Sequence, residues 1–228
     1  MDALVVGVSA AGGLVAGPPL EILAERIGAK EPLRPLRRPT DVRRTVALSV
    51  VGAAVLGGLA VRFGADVALA PFAVLALGLL CISAVDLERY LIPNRLVYPT
   101  LAVVAPLLVV SSAVDHRWGS LARAAIAGAA AFVAFFAVHL AVPKGMGFGD
   151  VRLAGVIGLA TGWLGLGHAF VAFFAAFVLG AVIGIVVMAV GGGGRKTRIP
   201  FGPFLAAGAV VAWLWGNPVA HAIFHRGA

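Results

Sequence analysis

Two aspartates are the residues in this sequence whose positions best suit chemistry. Asp86 closes one long apolar run, and Asp150 opens another. A carboxylate costs about 2.5–3.5 kcal/mol at the centre of a membrane span and less towards its ends. Two carboxyls that converge cannot both ionise easily, so one keeps a proton while the other can take a proton from water. The pair predicts an aspartic protease dyad, while a helix cap at Asp150 and an interface anchor at Asp86 stay open as alternatives.

The composition says what kind of protein must position these aspartates. Of 228 residues, 61% are apolar and 12% are charged, against roughly 45–50% and about 25% in soluble domains. The mean hydropathy is +1.02. These values exclude a soluble single domain and intrinsic disorder. The single cysteine, Cys81, excludes an intrachain disulfide and a cysteine-cage zinc site, and we expect no metal and no cofactor.

Apolar runs of helical length predict an all-α, polytopic membrane bundle of about eight helices. A β-barrel is not predicted, because these runs are continuously apolar and do not alternate. The whole chain, 1–228, is predicted to be one membrane-embedded domain with a retained first span. The predicted spans cover residues 3–23, 46–61, 67–85, 96–114, 121–142 and 201–215, with two more inside 153–190 that are separated by a turn at 162–167.

Basic residues set the predicted orientation. With both termini outside, 14 of the 18 Lys and Arg residues fall in inner gaps, and only Arg62, Arg117, Arg123 and Arg226 fall outside. Because cytoplasmic loops are enriched in positive charge, both termini are predicted outside, with Asp86 and Asp150 at the inner side. The net charge of +8 is therefore a topology signal, and no nucleic acid partner is expected. The basic loop 28–44 is predicted to lie on anionic lipid headgroups.

Four further side chains have predicted structural roles. Trp163 and Trp213, together with Trp215, are predicted to anchor the outer membrane interface, as aromatics often do. His139, inside the fifth span, is predicted to be a packed, hydrogen-bonded histidine and not a metal ligand.

Three motifs resemble those of prepilin peptidases, the type IV leader peptidase group of membrane aspartic endopeptidases. Asp86 stands before Ile92-Pro93-Asn94 with the family spacing. Gly145-Met146-Gly147-Phe148-Gly149-Asp150-Val151-Arg152 resembles the Gly-x-Gly-Asp motif, and Ile199-Pro200-Phe201-Gly202-Pro203-Phe204 resembles the segment that opens the last span. The order and the gaps agree over nearly the whole chain.

The resemblance implies a substrate and a mechanism. The substrate would be a prepilin-like precursor with a short basic leader, cut at the cytoplasmic face of the inner membrane for a type IV pilus or secretion system. Asp86 and Asp150 would be the catalytic dyad. The residues that the resemblance places around the substrate are Gly147, Gly149, Pro93, Asn94, Arg152, Pro200 and Gly202.

One departure from the family limits the predicted activity. Larger members carry a cytosolic domain with two Cys-x-x-Cys pairs, linked to zinc and to N-methylation of the new amino terminus. Here the loop 28–44 stands in its place and holds no cysteine, so we expect peptidase activity without N-methylation. The rival hypotheses are an ion-coupled transporter and an inactive structural subunit of a pilus or secretion system.

Overall fold

The chain folds into a bundle of helices. The computed structural model describes residues 3–28, 41–142, 145–190 and 199–224, with side chains described up to residue 216. Within those ranges it contains eight α-helices and no strand. The helices are α1 (Ala3–Gly28), α2 (Val42–Phe63), α3 (Leu69–Arg89), α4 (Asn94–Val114), α5 (Trp118–Ala141), α6 (Phe148–Leu164), α7 (Leu166–Val190) and α8 (Gly202–Phe224).

Six of these helices, α1 to α5 and α7, are long and apolar enough to cross a membrane. The predicted all-helical membrane bundle is therefore confirmed, with α6 at 17 residues and the described apolar part of α8, Gly202–Gly216, shorter than the rest. Most helices extend beyond the predicted spans; among them, α3 runs on to Arg89 and α6 begins at Phe148. Asp86 and Asp150 consequently lie inside helices and not in connecting segments. Most of the predicted basic loop, 29–40, and the glycine run 191–194 lie outside the described residues.

Helix α3 is the centre of the bundle. Its apolar side chains recur at helical spacing, and Phe72, Leu75, Leu79 and Ile82 are all fully buried. Elsewhere in the bundle, glycine permits close backbone contact between neighbouring helices. A Cβ on Gly13 of α1, for example, would lie 2.4 Å from the Gly52 carbonyl oxygen of α2. Close helix packing through small residues is typical of membrane proteins.

The tryptophans correct one prediction. Trp163 and Trp213 are fully buried, so the prediction that they anchor the outer interface is wrong; Trp215 is exposed. The rings of Trp163 and Trp213 lie 6.1 and 5.4 Å from that of Phe72. Trp163 Nε1 also donates a 2.7 Å hydrogen bond to Ser112 Oγ. Trp163 is therefore a core residue: its ring is buried and its indole N–H has a hydrogen-bond partner, as is usual for buried tryptophan.

Candidate active site

Asp86 lies in the last turn of α3, where its side chain is 4% exposed. Its Oδ2 accepts a 2.9 Å hydrogen bond from the backbone N–H of Gly202, the first residue of α8. A Cβ on Gly202 would lie 2.8 Å from Asp86 Oδ2, a distance that real Cβ contacts do not show. The missing side chain of Gly202 is what lets the start of α8 approach this carboxylate.

Asp150 is the third residue of α6 and is 8% exposed. Its Oδ2 accepts a 3.0 Å hydrogen bond from the backbone N–H of Gly147, the residue that caps the helix. A carboxylate in the first turn also interacts favourably with the helix dipole. Its other oxygen, Oδ1, is buried and has no hydrogen-bond partner among the described residues. Asp150 is thus fixed through one oxygen and keeps a second acceptor for another group.

The bundle brings the two aspartates together. Asp86 stands at the C-terminal end of α3 and Asp150 at the N-terminal end of α6, and the two carboxylates are near enough for their charges to interact. Gly202, at the start of α8, lies at the same end. The two acidic side chains are therefore at one level of the bundle, each held by the backbone N–H of a glycine.

A tight backbone contact sets the position of α6 at this end. A Cβ on Gly149 would lie 2.7 Å from the Cβ of Ile92 and 3.1 Å from its carbonyl oxygen. Pro93 follows Ile92 in an extended conformation (φ −79°, ψ 134°) and caps α4, and its carbonyl oxygen accepts bonds from Leu96 and Val97 N–H groups. The segment between α3 and α4 therefore packs directly against Gly149, the residue that precedes Asp150.

Arg152 ties the start of α6 to the start of α4. Its guanidinium donates a hydrogen bond to the side-chain oxygen of Asn94. Its Cζ lies 4.3 Å from the ring centroid of Phe148 and 5.9 Å from that of Tyr98. A planar guanidinium suits both stacking and hydrogen bonding. Arg152 and Asn94 thus hold the two helix ends in register at the surface of the site.

The sequence matches known proteins over the same region. Residues 73–185 match the type IV leader peptidase family. The chain is 32% identical over 174 residues to the prepilin leader peptidase/N-methyltransferase of Bacillus subtilis, covering 76% of this chain and 66% of that protein. It is 35% identical over 193 residues to the protein of the same name in Burkholderia pseudomallei, covering 81% of this chain and 59% of that protein. No solved structure matches the chain.

Residues 73–185 form a domain of the type IV leader peptidase family. The chain spans less than two thirds of the length of the curated relatives it matches. Both aspartates lie inside the family match, whereas Pro200 and Gly202 lie beyond its end. Pro200 is half-buried just before α8, and it precedes the turn that carries the Gly202 N–H to Asp86. With its long apolar helices and this domain, the chain is a multi-pass inner-membrane protein.

Two residues that contact the segments carrying the aspartates were not predicted from the sequence to belong to the site. Arg44 of α2 pairs with Glu88 and donates a 2.9 Å hydrogen bond to the Ala84 carbonyl oxygen, which fastens α2 to the end of α3 that carries Asp86. His139 forms a 2.8 Å hydrogen bond with the Met146 carbonyl oxygen in the segment before Asp150. His139 is hydrogen-bonded as predicted, but its position beside the site depends on chain geometry that spacing does not give.

The described part of the chain offers no metal centre. No group of three or more His, Cys, Asp or Glu side chains within it could hold a metal ion. What the site does offer is two buried carboxyls, backbone N–H donors and one carboxylate oxygen without a partner. These are the groups that acid and base chemistry on a carbonyl requires.

Proposed function

We propose that this chain is a membrane aspartic endopeptidase that removes the leader peptide of prepilin-like precursors. The observation that carries the proposal is the convergence of Asp86 and Asp150, two buried carboxyls on different helices whose charges interact. The type IV leader peptidase domain, and relatives named prepilin leader peptidase/N-methyltransferase, support the type of substrate. The precursor would bind at the membrane surface, with its apolar segment inserted in the lipid bilayer.

The proposed reaction needs the two aspartates in different protonation states. The ionised carboxylate takes a proton from water, and the resulting hydroxide oxygen forms a bond to the scissile carbonyl carbon. The neutral carboxyl gives its proton to the carbonyl oxygen. The tetrahedral intermediate then collapses: its nitrogen takes the proton that the first carboxyl gained from water, one of its hydroxyl groups returns a proton to the second carboxylate, and the carbon–nitrogen bond breaks to release an amine and a carboxylic acid. Two close carboxyls act as one unit, so we assign neither role to a single residue.

The hydrogen bonds at the site fit this division of labour. Asp86 Oδ2 and Asp150 Oδ2 each accept one backbone N–H, which orients the carboxyls without supplying a positive charge. Asp150 Oδ1 is the acceptor that remains for water. We propose that Gly147, Gly149, Pro93, Asn94, Arg152, Pro200 and Gly202 shape the substrate site, through the backbone and side-chain contacts described above.

The proposed orientation places this site at the cytoplasmic face, with both termini outside. It follows from the 14 Lys and Arg residues in the predicted inner gaps against 4 outside, because cytoplasmic loops are enriched in positive charge. We also propose that the whole chain forms a single peptidase domain without N-methyltransferase activity, since the loop 28–44 holds no cysteine.

Co-expression with small pilin precursors tests the proposal. Each precursor carries a basic leader, and its mass is followed with the parent chain, with Asp86→Asn and with Asp150→Asn. We expect the parent to remove the leader without adding the 14 Da of a methyl group, and both variants to leave the precursor intact. Asp41→Asn is the matched control: Asp41 is an exposed cap of α2, and Asn caps a helix about as well.

Each result separates the proposal from its rivals. Cleavage at the parent's rate by either dyad variant would exclude the dyad. Loss of cleavage in Asp41→Asn as well would show a general effect of removing carboxylates. If the parent cuts no precursor while folding normally, the transporter or structural-subunit hypothesis replaces the peptidase.

A further inference from the structure

A basic cavity lies at the end of the bundle opposite the two aspartates. It has a volume of about 400 Å³. Asp150 lies in the first turn of α6 and Trp163, which lines the cavity, lies in its last turn, so about 20 Å of helix separates the two places. The cavity joins the ends of α2, α5, α6 and α7. Its polar and aromatic lining residues are Arg62, Arg117, Ser120, Arg123, Trp163 and His168.

The excess of Lys and Arg at the predicted inner side does not account for the arginines of this cavity. Inner gaps collect most of the positive charge, and only four arginines are predicted outside. Three of these, Arg62, Arg117 and Arg123, come from separate parts of the chain and line one cavity. Positive charge at this end opposes the predicted orientation. Their convergence therefore calls for a local reason, and binding of an anion supplies one.

The side chains around the cavity carry a net positive charge, because only one of the three arginines has a carboxylate partner among the described residues. Arg117 faces Asp115 at 3.7 Å, whereas Arg62 and Arg123 have no carboxylate partner among the described residues. Arg123 Nη2 donates a 2.8 Å hydrogen bond to Ser120 Oγ, and Arg117 lies 5.7 Å from the Trp163 ring centroid. These contacts hold two guanidinium groups at the rim without cancelling their charge.

A buried serine and the start of a helix also line the cavity. Ser120 is buried in the first turn of α5, and that helix begins at Trp118 with no side-chain cap. The first N–H groups of a helix have no partner inside it and favour an anion. Arginine binds phosphate through parallel N–H donors. Three arginines and the N-terminus of α5 line this cavity, and their N–H groups are donors from which the oxygens of a phosphate group accept hydrogen bonds.

We infer that this cavity binds a phosphate group, either on the headgroup of an anionic phospholipid or as a free phosphate ion. The cavity is at the end of the helices, where headgroups lie in a bilayer. This site is separate from the proposed peptidase centre and does not depend on it.

Native mass spectrometry of the full chain in a neutral detergent tests the first source. Phosphatidylglycerol is added to the parent, to Arg62→Gln/Arg123→Gln, and to the control Arg89→Gln/Arg95→Gln, in which two exposed arginines at the other end, outside the basic loop 28–44, lose the same charge. We expect the parent and the control to retain phosphatidylglycerol, and the cavity variant to bind it about tenfold or more weakly. Diacylglycerol, which lacks the phosphate, should bind all three equally.

The second source has its own arm. The thermal unfolding midpoint of the three proteins is compared in inorganic phosphate and in chloride at equal ionic strength. A rise in phosphate for the parent and the control, absent in the cavity variant, supports a free phosphate ion as the ligand. Arg62→Lys/Arg123→Lys should keep part of the binding, because the charge stays while the planar donors are lost.

Misfolding does not obscure these outcomes. Removing positive charge from the outer end strengthens the predicted orientation, and circular dichroism checks that the cavity variant is helical. The inference is overturned if the folded cavity variant binds phosphatidylglycerol and responds to phosphate as the parent does. It is also overturned if the control loses binding to the same extent, because a general charge effect then explains the result.

Discussion

Gly149 packs against Ile92 so closely that a Cβ on Gly149 would lie 2.7 Å from the Cβ of Ile92. Asp150 follows Gly149 directly, and Ile92 follows Asp86 by six residues. The contact therefore joins the two segments that carry the aspartates. It fixes where α6 starts relative to the end of α3. The proposed chemistry depends on the resulting distance between the carboxyls of Asp86 and Asp150.

Replacing Gly149 tests this contact. We expect Gly149→Ala to push the start of α6 away from Ile92 and to lower cleavage about a hundredfold, because misplacing a reacting group by about 1 Å has effects of that size. Cleavage of a precursor in co-expression measures it. Gly12→Ala is the control, since no atom lies within 4 Å of a Cβ at that position. Parent-like cleavage by Gly149→Ala would show that the site tolerates a shifted helix.

Gly202 allows a second, independent test. A methyl group there would lie 2.8 Å from Asp86 Oδ2, so we expect Gly202→Ala to displace the N–H donor and reduce the cleavage rate about tenfold or more, as the loss of one oriented hydrogen bond to a charged group does. Gly184→Ala, whose Cβ would make an ordinary 3.6 Å contact with Ile199, should cleave normally. The prediction is wrong if both variants behave alike.

Arg152 should distinguish geometry from charge. Arg152→Lys keeps the positive charge but loses the planar stack on Phe148 and Tyr98. We expect it to lower the free energy of unfolding by about 1 kcal/mol, the size of one cation–π contact. Chemical unfolding in mixed micelles measures the change. If Arg152→Lys is as stable as the parent while Arg152→Ala is not, then only the charge of Arg152 matters.

Arg44 should contribute more than its ion pair with Glu88. That pair is partly exposed, so a double-mutant cycle with Arg44→Ala and Glu88→Ala should give a coupling energy of only about 0.2–1 kcal/mol. Arg44→Ala alone should lower the free energy of unfolding by more, because the hydrogen bond to the Ala84 carbonyl oxygen is also lost. Equal effects of the two single variants would mean that the backbone bond adds no stability.

Two neighbouring serines make a matched pair. Ser112 accepts the indole N–H of buried Trp163, whereas Ser111 bonds only to the Leu107 carbonyl oxygen of its own helix. We expect Ser112→Ala to lower the free energy of unfolding by about 1–3 kcal/mol, since a buried donor is left without a partner. Ser111→Ala should cost less. The opposite order would show that Trp163 finds another acceptor.

The sequence predicted the elements and the level of the aspartates, because both depend on local patterns. Apolar runs gave the helical bundle, and the placement of Asp86 and Asp150 at one end followed from counting spans. Burial was harder to predict. Trp163 and Trp213 end apolar runs as interface residues do, yet they pack on Phe72 in the core, since helix rotation decides which side faces lipid.

The partners of the aspartates were the least predictable part. The Gly202 and Gly147 motifs were recognised, but nothing in a run of letters says that Gly202 N–H reaches Asp86 Oδ2. The ties made by Arg44 and His139 were missed for the same reason. Such contacts join segments far apart in the chain, and their geometry follows from how whole helices pack.

The hydrogen bond between Asp86 and Gly202 also has a consequence for biogenesis. It joins residues 116 positions apart, and a ribosome that adds about 5–20 residues per second needs about 6–23 s to make that length. Asp86 therefore enters the membrane well before its backbone donor is synthesised. The candidate site is completed only when the last helix has been inserted, so a nascent or C-terminally truncated chain lacks the donor that orients its first aspartate.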